Sequence, residues 1–463
     1  MFGARGSVGA IAVIVRPLSE TRGLRSLTTS LIVPSSSVPH PARPPPSSDV
    51  PTPGAPLPRK VWLIVALLFC TGFLNYLDRQ TLSILKATLK SVFDFDDSGY
   101  STLIAAFMVP YIIMYVVGGR IVDRFGSRLS MTVFIASWSV ANALGGLAQS
   151  LGQLGGARAL LGAAEAGTFP AFQRAIISWV PSERRAFAMS LVAPSTTLGA
   201  VAAPPLIAAL TLHLSWRGAF ILPGVLGLLL ALAWWFADRG APAEAEIRES
   251  GAASFGEVLR ERRLWGVVAA RGLSDPVWYF HLFWIPGYLQ ERLGLSLAQL
   301  GAVGWIPTVT ASVICIAAAH LTDQRVARGR DPISSRLLFF YSGAVLAPIG
   351  ALTTLAPNLA VALLLITIVT VACQLWFFGT GPLLADMLPA RINASAFGVI
   401  GAFGASTGLI LNFAAGPIIE QLGYAVVFGG LALLHPIAAL VLWLSIVADR
   451  RRTADRGEPQ AVG

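Results

Sequence analysis

The run Thr71-Gly-Phe-Leu-Asn-Tyr-Leu-Asp-Arg-Gln80 sets an aspartate and an arginine side by side, Asp78 and Arg79, inside a stretch otherwise apolar enough to cross a bilayer. At bilayer depth such a charge costs about 2.5–3.5 kcal/mol on insertion scales, so it persists where it is paired, hydrated or used. A second apolar stretch carries Glu165. The chain therefore reads as a membrane protein whose function lies in those charges.

The composition agrees. Of 463 residues, 55% are hydrophobic and 13% charged, against about 25% charged in an average soluble domain. The net charge of +10 does not indicate nucleic acid, because the arginines fall in short loops between apolar runs. Cys70, Cys315 and Cys373 lie far apart in apolar stretches without metal-ligand spacing, and read as small core hydrophobes. No metal and no cofactor is expected, and membrane lipid is the surrounding partner.

At about 20 apolar residues per crossing, twelve spans emerge: 61–90, 98–119, 129–149, 154–177, 187–210, 217–237, 264–290, 297–320, 334–356, 358–382, 394–416 and 423–447. The even-numbered connections and the C-terminus carry most of the arginine, from Arg120, Arg124 and Arg128 through Arg184 and Arg185, Arg260 to Arg263, Arg325 to Arg330, and Arg450 to Arg452. The odd-numbered ones hold little beyond Lys86, Lys90, Arg217 and Arg292. Basic loops stay in the cytoplasm, so both termini are expected there, in a multi-pass protein of the cell inner (plasma) membrane.

The polar stretch 238–263 divides the spans six and six. Bundles at 61–237 and 264–448, joined by that cytoplasmic linker and followed by a tail at 449–463, suggest two units that rock about a central site. Residues 1–60 are rich in Pro, Ser and Arg, and Val38–Pro46 cannot hold a helix because proline lacks the donor. This segment reads as a disordered tail. Its acid-poor composition also fits a transit peptide, which would place the protein in an organellar membrane, or a misassigned start. The sequence after span two, Gly119-Arg-Ile-Val-Asp-Arg-Phe-Gly-Ser-Arg128, is echoed after span eight by Ala319-His-Leu-Thr-Asp-Gln-Arg325, as a duplication would leave it.

With these residues in view, the chain resembles the major facilitator superfamily over roughly residues 60–448, and within it the anion:cation symporters of hexuronates, glucarate, galactonate and vesicular glutamate. The resemblance rests on Gly119-x3-Asp123-Arg124-x-Gly126-x-Arg128, Asn75-Tyr76-x-Asp78-Arg79, Arg158-x6-Glu165-Ala-Gly-x-x-Pro170, Trp179-x-Pro-x-x-Glu183-Arg184 and Ser215-Trp-Arg-x-x-Phe220, in order. Span seven, Asp275 to Leu289, looks most like the hexuronate branch. Trp376-Phe-Phe-Gly-Thr380 departs from the Trp-Ser-x-Asn often found there, and Ala319 stands where glycine is usual. The implied fold is an all-α membrane protein, twelve transmembrane helices in two pseudo-symmetric six-helix bundles.

An anion carrier needs a cationic anchor, and the planar fork of arginine can give a carboxylate two parallel hydrogen bonds. Arg79 is the candidate. Proton coupling needs a carboxylate that changes protonation, and Asp78 and Glu165 both fit. Neighbours on a helix point about 100° apart, so Asp78 and Arg79 face different partners. Arg158, about 10 Å below Glu165 by helical rise, is expected to tune the carboxylates through an intermediate group or across helices to Asp78.

Tyr76, Tyr111, Trp278, Tyr279, Gln374 and Asn412 are candidate substrate contacts, with interhelical packing or hydrogen bonding as the alternative for the last four. By resemblance Asp123, Arg124 and Arg128 form an interdomain latch, while Asp386, near the cytoplasmic end of span ten, reads as a gate. No Gly-x4-Gly-Lys-Ser/Thr loop is present, so ATP drive is not expected. Nor is an enzyme. The expected function is proton-coupled import of a small organic anion, a sugar acid such as a hexuronate or aldonate, by a monomer working through alternating access. A carrier of phosphate, glutamate or another dicarboxylate, or a non-transporting nutrient sensor, is the alternative.

Overall fold

The computed structural model describes residues 58–180, 184–241, 255–388 and 390–455, except for the side chains of residues 123, 186, 255, 390, 391, 393, 394 and 449–455. The sequence expectations for the N-terminal tail and most of the linker therefore fall outside the described residues. What is described is helical, with no strand among the described residues.

Among the described residues, nine helical runs are long and apolar enough to cross a membrane. One of them, Phe187–Ala237, holds two spans, because Ser215 at φ 69° reverses the chain inside it. Two further spans escape that criterion for physical reasons. Span four is broken at Gly167 into Leu151–Ala166 and Thr168–Trp179, each too short alone. Span seven, Arg262–Leu293, carries Arg271, Asp275 and Glu291. Together these make twelve.

The connections repeat. Between the second and third helix of each successive trio lies a residue of positive φ: Gly126 (77°), Ser215 (69°), Gly329 (80°) and Gly423 (80°). Three are glycine, which bears this conformation without steric cost. Ser215 holds it at a strain of about 1–3 kcal/mol. Side chains of Asp96, Ser150, Ser296 and Asn358 cap the helices of spans two, four, eight and ten, satisfying amides that the helix itself leaves free.

The halves meet where span two packs along span eleven, span five along span eight, and span one along span seven. Within the first half the backbones run close. A Cβ at Gly162 would collide with the carbonyl oxygen of Phe107, and one at Gly199 with that of Phe73. Not every small residue is used this way, for Gly119 and Gly156 have nothing within 4 Å of where a Cβ would stand. Cys315 and Cys373 are buried as core hydrophobes, but Cys70 is exposed on the outer face of span one.

Candidate functional site

Arg79 faces span four. Its Nε and Nη2 both donate to Glu165 Oε2, at 3.0 and 2.8 Å, and the two side chains are 4% and 0% exposed. The break at Gly167 lies two residues beyond Glu165, where the ring of Phe134 fills the space a Cβ would need. Three rings enclose the guanidinium, with centroids at 4.8 Å (Tyr111), 5.1 Å (Tyr76) and 5.5 Å (Phe107). Their faces are attractive to a cation and exclude water around it. Glu165 Oε1 has no hydrogen-bond partner among the described residues, and Arg79 Nη1 makes no hydrogen bond there either.

Asp78 turns the other way, toward span three. Asn142 Nδ2 donates to Asp78 Oδ1 at 2.8 Å and also reaches the carbonyl of Phe220 on span six at 3.0 Å. Asp78 Oδ2 has no partner among the described residues. Arg158, 2% exposed, sits against the opposite side of this core, its guanidinium 4.9 Å from the Phe107 ring. It interacts electrostatically with both carboxylates yet hydrogen-bonds neither, and none of its three side-chain nitrogens finds a partner among the described residues. Two buried cations thus share one phenyl ring, and two buried carboxylates each keep one oxygen unengaged.

The remaining candidates divide into two groups. Tyr76 and Trp278 line a cavity between the halves, with Gln80, His281, Thr308 and Thr370. Tyr111 stacks on Phe107 at 5.4 Å and leans on Tyr115 at 5.5 Å, beside Arg79. Tyr279 packs on Phe283 and over Gly408. Deeper in the second half, Gln374 accepts from Ser312 at 3.3 Å, and Asn412 accepts from Trp284 Nε1 at 2.9 Å while donating to the Gly408 carbonyl. Both amides serve interhelical or local bonds in this conformation.

Three features escaped the sequence reading. Asn142 was hidden because an amide inside a span is ordinarily interhelical glue. The Arg271–Asp275 pair of span seven could have been flagged by the insertion cost that flags Arg79. Lys86, counted above as a loop charge, is fully buried.

Lys86 joins the halves at one end. Its Nζ lies 2.8 Å from Asp97, 3.0 Å from Glu291 and 3.0 Å from the Tyr424 hydroxyl, within a cage of Trp284, Tyr100 and Tyr424. Lys90 adds contacts to Asp97 and Glu291. Ser98 donates to Glu420, Tyr100 to the Phe283 carbonyl and Gln290 to the Ile84 carbonyl. These hydrogen bonds tie residues 58–241 to residues 255–455 at this end.

At the arginine-rich end, Arg128 and Arg336 bond within their own halves. Arg128 donates to the Trp235 carbonyl at 3.0 Å and stacks on its ring at 3.9 Å, and Arg124 lies over Phe125. The side chain of Asp123 lies outside those described. Asp386 accepts from Arg336, which also holds Asp323 of the echoed loop motif.

The family model described as "Major Facilitator Superfamily" matches residues 68–410. The hexuronate transporter of Escherichia coli (strain K12) is 29% identical over 403 residues, covering 82% of this chain and 93% of that protein. The D-galactonate transporter of Escherichia coli O6:H1 is 26% identical over 428 residues, covering 85% and 97%. The probable galactarate/D-glucarate transporter GarP of E. coli K12 is 25% identical over 433 residues, covering 84% and 95%. Among solved structures, a bacterial homolog of the human lysosomal transporter Spinster, inward-facing and occupied, superposes with a TM-score of 0.69 at 18% identity, covering 82% of this chain and 96% of that one. The twelve-helix fold, its repeating connections and the matched loop signature converge: the chain belongs to the Major Facilitator Superfamily, whose members are transporters and not enzymes.

Proposed function

We propose that the protein is a proton-coupled secondary transporter that imports a small organic anion, a sugar acid of the hexuronate or aldonate type. The observation that carries this reading is the state of the Arg79–Glu165 pair. The guanidinium spends two donors on one oxygen and keeps Nη1 unengaged, while Glu165 Oε1 and Asp78 Oδ2 are unengaged too. A cargo carboxylate competes with Glu165 for Arg79. Glu165, deprived of its counterion in a dry interior, keeps a costly charge unless it binds a proton. Cargo binding and protonation are thereby linked through one guanidinium. Asp78 is the second proton site, and Arg158 positions the field of both. The sugar-acid class is supported by the relatives named above, all of which carry that cargo by name.

We take the arginine-rich end and both termini as cytoplasmic, in a protein of the inner membrane, because Lys- and Arg-rich connections stay in the cytoplasm. The Lys86 cluster is then the outer closure. The bundles 61–237 and 264–448 rock about the linker 238–263, with Asp123, Arg124, Arg128 and Asp386 closing the inner end in the alternate state. In proteoliposomes with an inward proton gradient, labelled galacturonate or galactonate should accumulate while the lumen acidifies faster than it does without cargo, because protons enter with the anion. Glu165→Gln should abolish that accumulation. Uptake indifferent to the proton gradient would sink the coupling.

A further inference from the structure

A second buried ion pair lies in the half that lacks Arg79. Arg271 and Asp275 are one helical turn apart on span seven, 4% and 7% exposed, with Nε donating to Oδ1 at 2.7 Å. Arg271 Nη1 donates to Thr380 Oγ1 of span ten at 2.7 Å, and Nη2 makes no hydrogen bond among the described residues. Desolvating such a pair costs several kcal/mol, which its own attraction recovers only in part. Apolar residues would pack there more cheaply, so the pair calls for a use.

The small-residue run of span eleven is the seat of this pair. A Cβ at Gly404 would fall on the Asp275 carboxylate, one at Gly408 on the Tyr279 ring, and one at Gly401 would stand 3.1 Å from the Tyr115 hydroxyl. Tyr115 leans on Tyr111, whose ring covers Arg79, so the same run of span eleven meets both the Arg79 pocket and Asp275.

We propose that Arg271 is a second carboxylate anchor, which exchanges Asp275 for the far carboxylate of a sugar acid bearing one at each end. This rests on Arg79 being the first anchor. Asp275 already occupies Arg271 in the manner of a carboxylate ligand, and the unengaged Nη2 offers the second bond of a fork. A cargo hydroxyl is a poor rival, because it brings no charge to replace that of Asp275. The preferred cargo is therefore a six-carbon diacid, ahead of its monoacid counterparts.

The test uses the full-length protein in proteoliposomes, with galactarate as diacid and galacturonate and galactonate as monoacids, reading KM and competition constants. Wild type should take galactarate at least ten-fold more tightly. Arg271→Gln with Asp275→Asn keeps a neutral hydrogen-bonded pair and should run as a monodisperse protein, with the diacid-to-monoacid ratio lowered at least ten-fold; Arg271→Lys should fall between. A wild-type preference for monoacids, or an unchanged ratio in the monodisperse double variant, overturns the second anchor and leaves sugar-acid transport standing. Failure of wild type to bind any of the three overturns both.

Discussion

Replacing Arg79 by lysine keeps the charge and removes the fork. In the structure the guanidinium delivers Nε and Nη2 to one carboxylate oxygen at 3.0 and 2.8 Å and still holds Nη1 in reserve. An ammonium can still neutralise Glu165, so the helices stay paired, but it presents a compact point charge where a carboxylate cargo would meet a planar pair of donors. The loss is one charge-assisted hydrogen bond, about 1.5–3 kcal/mol. At 1.4 kcal/mol per decade this is about 10- to 150-fold in affinity. The rings of Tyr76, Tyr111 and Phe107 attract either cation and do not compensate. The assay is counterflow of labelled galacturonate in proteoliposomes, with direct titration calorimetry on the detergent-purified variant and a melting curve to confirm its fold. A folded Arg79→Lys protein whose KM and affinity stay within three-fold of wild type would refute the bidentate anchor.

Two further outcomes test the architecture. Lys86→Met removes the buried one of two cations from Asp97 and Glu291, which keep Lys90 and are 13% and 21% exposed; the loss should fall below the 3–5 kcal/mol of a fully buried pair, at about 2 kcal/mol. Spin labels across the Lys86 end should then show a widened distance distribution, and an unchanged one would count against this cluster as the closure. Gly162→Ala drives a methyl into the backbone of Phe107, which cannot rotate aside, so stability should drop by roughly 1–3 kcal/mol, read as a lower melting temperature in detergent; an unshifted melt would contradict the close approach.

Much of this was legible in the chain, for reasons that differ by residue. All twelve spans announce themselves by apolar length, but the break of span four at Gly167 and the charges Arg271 and Asp275 within span seven do not follow from that length. The charges of Asp78, Arg79 and Glu165 stand out because a bilayer makes them costly. Their partners do not. Arg79 and Glu165 are 86 residues apart, and only helix rotation in the assembled bundle decides that Arg79 meets Glu165 while Arg158 meets neither carboxylate by hydrogen bond. Asp78 finds Asn142, a residue with no local signature. Lys86 reads as a loop charge because it stands at a span's end, and its burial depends on Tyr424 and Trp284, which reach it from the other half.

The charges of the central core have one more consequence. Asp78, Arg79, Arg158 and Glu165 sum to zero, so the unloaded site offers the transmembrane voltage nothing to pull on. The electrical character of a transport cycle is then set by what the site carries. A monoacid with two protons moves one net positive charge inward and draws on the resting voltage at about 2.3 kcal/mol per 100 mV, whereas a diacid with the same two protons crosses electrically silent. The same four side chains would make one protein electrogenic for one cargo and electroneutral for another.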